Sequence, residues 1–547
     1  MELLLTLAGL LMALYAIIPR ERQMELRFRV GPFEWGALLI VFLPVFFFLE
    51  YYGFFVARGW APASEEWPMG FTPANVRPLL VLFLAVFFGL RVHRARLSRR
   101  RIGKFTELCQ ELLWAESYPE LLSLFQRNVK EFFRIYRADY WLPALRRRLV
   151  SRVQPSFFLE DLIRVMEGPP ARGLVDRIPE WLARPLIRCL PTYSSERNAA
   201  AQVVQSVLMT PRFMEAASRA RPYLGIDIVR GLPGRFDQTE FMSGLLAELM
   251  ANPASVLYWE IEKNRNISRG HRYDIPESNR LIHFLLKDAR VAQDLGMWKP
   301  MGEFALRELD RLAADSAGDP NNQGAGDFQK RAMWRSPLYA TVRLFDIMVR
   351  EALYQGIEWH MWLYYFPPLV ERMVRNCEPC GPLVDLEETF PVRYNHLIYE
   401  AVSAIRDWVK AADDIPEGQG NVTLRSVQAD PGNGNIPKSS VLALGQCSRH
   451  VLVSEKFEEK FKDWVMNGTF ELYFTLRQSA KLSRYADVLG SSLRHGGLAP
   501  WTADPMYLTS LHGSFGRLRH EHGITHQSEH VSDLARAIGV RTEGAAR

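Results

Sequence analysis

Residues 35–56 read WGALLIVFLPVFFFLEYYGFFV, and this stretch decides how the rest of the chain is read. A helix needs ~20 mostly apolar residues to cross a bilayer core, and ~17 suffice with help from the flanks. Two shorter apolar runs lie on either side, LLLTLAGLLMALYAII from Leu3 to Ile18 and VRPLLVLFLAVFFGLRV from Val76 to Val92. The rest of the chain contains no comparable run. The pattern predicts three N-terminal transmembrane helices in residues 1–95, followed by a large body. Glu50 lies late in the second run, beside Tyr51 and Tyr52, where it reaches the headgroups rather than the hydrocarbon.

Charge predicts the orientation. Residues 91–104, RVHRARLSRRRIGK, carry seven Lys/Arg and no acid. Basic residues beside a membrane helix stay in the cytoplasm. The loop PRERQMELRFR after the first run is also Arg-rich, whereas the 58–75 loop holds one Arg and two Glu. The N-terminus is therefore expected outside the inner membrane and the body in the cytoplasm. Met1-Glu2 lacks the positive charge with which a cleaved signal peptide begins.

The chain has 547 residues and a formal charge of +6, from 67 basic and 61 acidic residues. Without the seven basic residues of 91–104 the remainder is 60 against 61, so the high pI belongs to the flank and implies no nucleic-acid surface on the body. That flank suits anionic lipid. Five cysteines without disulfide spacing fit a reducing compartment.

The body reads as all-α. Ser117 to Glu120 (SYPE) has the form of a capping box, followed by Leu122, Phe125, Val129, Phe132 and Tyr136 at helical spacing. Asp237 to Glu240 (DQTE) repeats the box. Phe457, Phe461, Trp464 and Val465 form another face, with Gly468 expected as its C-cap. Only YLGIDIVRG and VTLRSVQA hint at strands. Turn-forming residues at 315–327 and 413–438 divide the body into helical domains at 96–314 and 328–500, with a His-rich helical segment at 501–547. His360, in the aromatic run EWHMWLYYFPP, is expected to be a core residue.

No Gly-rich phosphate loop, nucleophile elbow or HExxH helix occurs, and no cofactor is implied. Cys377 and Cys380 form a CxxC and Cys447 and His450 a CxxH. Their long separation leaves them better explained as turn and core residues than as a zinc site. Residues 259–280 are dense in charge. There Glu260, Arg265, Arg269, His271 and Arg272 are the candidates for a polar ligand site, because Arg forks suit phosphate and carboxylate. A metal set of His522, His526 and His530 would need one helix through Gly523 and Thr525, which disfavour it.

Arg519 and His526, with His520 after the Arg and Gly523 between, form a short pattern from Leu518 to Gln527. It resembles the Arg-Asn-x-x-Gly-x-x-His signature of HEPN-type domains found at the C-termini of bacterial abortive-infection proteins, with His520 in the place of Asn. The resemblance implies metal-independent RNA cleavage across a dimer. His526 would move the proton of a ribose 2′-OH, and Arg519 would hold the phosphate. The chain is expected to be a membrane-anchored, cytoplasm-facing helical interaction protein (a sensor, scaffold or effector) in anti-phage defence. It would act with a protein partner or as a homo-oligomer. A membrane-tethered ribonuclease, with RNA as its partner, is the alternative.

Overall fold

The computed structural model describes residues 43–61, 97–153, 179–264, 272–315, 319–326, 332–357, 362–379, 390–415, 435–497, 504–520 and 528–540, with isolated positions between 36 and 86. These residues are mostly helical, with no strand among them. They divide into two compact units, Met1–Pro233 and Gly234–Arg547. The turn-rich segment at 315–327 thus falls inside the second unit.

In the first unit, the second apolar run supplies α1 (Leu43–Glu50) and α2 (Tyr52–Ala57), separated at Tyr51. Among the described residues no helix is long and apolar enough to cross a membrane. The first run lies outside the described residues, and the third is described only at isolated positions. Beyond the basic flank come α3 (Ile102–Trp114), α4 (Tyr118–Tyr136), α5 (Trp141–Val153), α6 (Glu180–Cys189), α7 (Ser194–Val203), α8 (Pro211–Ala220) and α9 (Leu224–Gly231). Ser117 does sit at the N-cap of α4, but its side chain makes no capping bond. The face read from sequence is the buried one, and its rings form the core. Phe125 and Phe132 are 5.0 Å apart, with Phe105 5.9 Å from Phe132 and Phe213 6.3 Å from Phe125. The YLGIDIVRG segment is helical, not extended. Leu224, Ile226, Ile228 and Val229 are all buried, so packing on two faces replaces the alternation that a half-exposed strand would show.

Within the flank Leu97 and Ile102 are buried, and Arg99 ties it to two tyrosines. The Arg99 guanidinium lies 4.4 Å from the Tyr140 ring centre and 4.0 Å from that of Tyr193, and Arg134 stacks on Tyr140 at 4.9 Å. Each such contact contributes ~0.5–1 kcal/mol where solvent reaches it. Tyr193 adopts φ +50°, a left-handed conformation costing roughly 1–2 kcal/mol that this stacking helps offset.

The second unit contains α10 (Arg235–Ala251), α11 (Val256–Lys263), α12 (Arg280–Leu286), α13 (Ala289–Asp294), α14 (Trp298–Ala314), α15 (Pro337–Tyr354), α16 (Phe366–Asn376), α17 (Arg393–Ala411), α18 (Ile436–Val453), α19 (Glu459–Gln478), α20 (Ser483–His495), α21 (Pro505–His520) and α22 (Ser528–Ile538). α18 packs on α16, α17 and α20, and α19 on α17, α20 and α21. Trp408 and Phe366 meet edge to face at 4.9 Å in the core.

Several sequence expectations are corrected here. α10 starts at Arg235 after Gly234, which places Asp237 inside the first turn rather than at the cap. The 413–438 stretch is helical by Ile436, where Asn435 caps α18 by accepting from the Lys438 N–H at 3.0 Å. Part of the 315–327 segment is anchored. Asp319 is buried and accepts from the Tyr394 hydroxyl at 2.6 Å. Gly468 is not a C-cap, since α19 runs ten residues further to Gln478. Its missing side chain makes room for Arg406. A Cβ built at Gly468 would overlap Arg406 Nη1, which donates to the Val465 carbonyl at 3.3 Å. His360 and the VTLRSVQA segment lie outside the described residues.

Candidate functional site

The charged segment at 259–280 is resolved into separate structural roles. Glu260 is fully buried at the start of α12, and its carboxylate accepts from the Leu281 N–H at 3.0 Å and the Ile282 N–H at 2.9 Å. This is an N-terminal cap supplied by another helix, where the helix dipole favours an anion. Arg272 is bidentate on Glu351, with Nε and Nη2 at 3.2 and 2.9 Å. Arg265, Arg269 and His271 lie outside the described residues. Glu260 and Arg272 each have a structural partner among the described residues. One caps α12 and the other ties its segment to α15.

The main polar centre of the second unit lies on α15 and was not anticipated as a site. Arg343, Asp346 and Arg350 recur at i, i+3 and i+7 on a helix buried almost along its length. The Asp346 carboxylate receives Trp408 Nε1 at 2.7 Å, Arg350 Nε at 2.8 Å and the Tyr273 hydroxyl. Arg343 Nη1 stands 3.5 Å from the same group, and Arg343 Nη2 donates to the Tyr273 oxygen at 2.8 Å. Arg350 also reaches Asp407 at 3.2 Å. Gln355 closes the other end. It donates to Glu351 at 3.0 Å and to the Leu286 carbonyl at 2.9 Å, and accepts from the Ala289 N–H at 2.7 Å. Burial, then the Asp346 charge, holds the Tyr273 hydroxyl protonated well above the usual tyrosine range. Glu400 is pushed up by burial against the opposing pull of Arg343. His396, 3.7 Å from Glu400, is pushed down by burial to about 4.

Here three guanidinium groups meet four carboxylates, Asp346, Glu351, Glu400 and Asp407. A buried ion pair is useful when every remaining lone pair and proton finds a partner. Asp346 meets that condition with partners from α15, α17 and the Tyr273 segment. Its acceptor positions are occupied, so it is an internal tie and not an open base. The signal for it was in the sequence, as three charges at helical spacing within PLYATVRLFDIMVREALY.

A cavity of about 190 Å³ lies at the C-terminal end of α17, lined by Lys410, Asp413, Asp414, Leu472, Thr475 and Ser479 among others. It falls below the ~300–1,000 Å³ of sites that enclose a drug-sized ligand. Lys481 closes this helix end, donating to the Ala412 carbonyl at 2.8 Å and also to that of Ile415.

Cys377 and Cys447 are buried and free, and burial raises the Cys447 thiol far above its usual range. Cys380 lies outside the described residues. Among the described residues no group of three or more His, Cys, Asp or Glu is placed to hold a metal ion. In the C-terminal segment, Arg519 and His520 form the last turn of α21, while His526 falls between α21 and α22, outside the described residues. α21 is held to α19 by Arg517, bidentate on Asp463 at 2.6 and 2.8 Å, and by Phe515 against Phe470 at 5.7 Å. His512 Nε2 is 3.0 Å from the Ile538 carbonyl at the end of α22.

No protein-family model matches the chain, and no curated protein and no solved structure matches it either.

Proposed function

We propose that this chain is a membrane-anchored, cytoplasm-facing α-helical interaction protein, a sensor, scaffold or effector, with a place in bacterial anti-phage defence. The observation that carries the anchor is where large apolar side chains face outward. Phe47, Phe54, Trp60, Leu82 and Phe83 are exposed, Trp60 by 71% and Phe83 by 67%. Large apolar side chains left exposed suit a membrane or partner contact. The apolar runs, their alternating loop charges and the basic flank give it a direction across the inner membrane. The saturated polar centre on α15 supports a body that binds rather than one that catalyses.

The second reading, a membrane-tethered ribonuclease, rests on the HEPN-like pattern at the end of α21. In it Arg519 contacts the scissile phosphate, His526 transfers the proton, and His520 stands beside them. The test combines alkaline-carbonate extraction with mutagenesis of the full chain. The interaction reading expects retention in the membrane pellet, no cleavage of single-stranded RNA in EDTA, and full cellular function in the Arg519→Ala, His526→Ala double variant. Loss of cleavage and of function in that variant, with expression unchanged, establishes the ribonuclease, since an acid–base group contributes ~10²–10⁴-fold in rate. Release of the wild-type protein by carbonate overturns the anchor.

A further inference from the structure

We infer that the N-terminal edge of α5, built around Trp141 with Arg148 and Arg147, is a docking surface for the anionic headgroups of the membrane from which the basic flank emerges. The inference rests on the anchored reading above and adds to it a second, surface contact made by the folded body. Trp141 is 74% exposed at the first position of α5. Burying an indole there would serve the fold, and its exposure needs a reason. Arg148 is also exposed, and a spacing of seven residues puts it on the same helix face two turns on. Arg147 is exposed beside it.

The position of this edge relative to the flank is set by the Arg99 clamp. Tyr140, the residue before Trp141, stacks against Arg99, which belongs to the basic block that follows the third apolar run. Trp141 therefore sits next to a residue that a side chain of the basic block stacks on. Arg99 and Arg134 stack on the neighbouring Tyr140, and Arg147 and Arg148 lie further along α5, against the carboxylates of Asp139, 3.7 Å from Arg147, and Glu131, 3.6 Å from Arg134. An exposed Trp within a basic surplus is the chemistry of a membrane–water interface. Trp114, 79% exposed, ends α3 at roughly 18 Å from the flank by helix rise, and serves as an internal control.

The experiment uses the full chain in vesicles of phosphatidylcholine with or without phosphatidylglycerol, with a headgroup-attached quencher in the lipid. An environment-sensitive fluorophore is placed on Trp141→Cys or on Trp114→Cys. The background is Cys189→Ser, Cys380→Ser, since Cys109, Cys377 and Cys447 are buried. We expect quenching at 141 to exceed that at 114 by at least about threefold in anionic vesicles. It should fall towards the 114 level in 1 M salt, where the Debye length is ~3 Å, and in Arg147→Glu, Arg148→Glu. Equal quenching at the two positions in protein that resists carbonate overturns the docking surface and leaves the anchor intact. If carbonate releases the protein, the anchor fails. The surface is then judged by flotation: salt-sensitive co-flotation with anionic vesicles supports it, and no co-flotation overturns it. A response at 141 to single-stranded RNA but not to anionic vesicles also overturns it, in favour of a nucleic-acid contact.

Discussion

At the scale of single residues, His396 is expected to contribute to the acid sensitivity of the second unit. It is buried, and its pKa is pushed down to about 4 from the usual 6.5. The unfolded chain then binds this proton more readily than the fold does. Stability is complete above pH 6.5 and is lost as pH falls towards 4. Glu400 has the opposite sign. Its raised pKa lets the fold take a proton before the unfolded chain does, which adds stability as pH falls towards the ordinary carboxylate value. The two partly offset each other, so the difference between wild type and His396→Gln isolates the histidine. His396→Gln is expected to flatten the decline in urea midpoint between pH 6.5 and 4. Parallel pH profiles for the two proteins would remove His396 as the cause.

At the scale of elements, the Asp346 network joins α15, α17 and the segment before α12 through one carboxylate. Asp346→Asn keeps the shape and removes the charge that Arg350 and Arg343 face. Breaking one side of a buried ion pair costs ~3–5 kcal/mol. Urea unfolding followed by far-UV dichroism should show a loss of that order, and a loss under ~1 kcal/mol would show that the charge is not what holds these elements together. The sequence made the helices themselves legible. The buried face of α4 was readable from Leu122, Phe125, Val129 and Phe132, because one stripe faced the core. α9 was not, because Leu224, Ile226 and Ile228 alternate with Gly225 and Asp227 as a strand would, over a segment of only eight residues. Gly468 misled because glycine ends helices more often than it makes room for a neighbour's guanidinium. The polar centre was overlooked for a related reason. Three-residue spacing of charges reads as a solvated face unless the residues between them show that the whole helix is buried. Of the HEPN-like pattern, only the placement of Arg519 and His520 on the last turn of α21 is added to what the sequence offered.

At the scale of the whole molecule, the proposed topology puts everything after residue 104 in one compartment. Gly324 is a suitable reporter. It is exposed, and a Cβ there meets nothing within 4 Å. In the Cys189→Ser, Cys380→Ser background, Gly324→Cys should stay unlabelled by an impermeant thiol reagent in intact cells and become labelled after permeabilisation. Labelling in intact cells would reverse the proposed topology.

The packing of Arg406 over Gly468 also constrains how this chain can diverge. A side chain at 468 would displace the buried Arg406 guanidinium from the Val465 carbonyl, and loss of Arg406 would leave that carbonyl without this donor. Neither position can drift alone without passing through a less stable intermediate, so among descendants of a common ancestor the two should be inherited as a pair. Co-variation of 406 with 468, against a background of freely exchanging surface positions, would be the evolutionary signature of this one contact, and a way to recognise distant relatives whose overall similarity has faded.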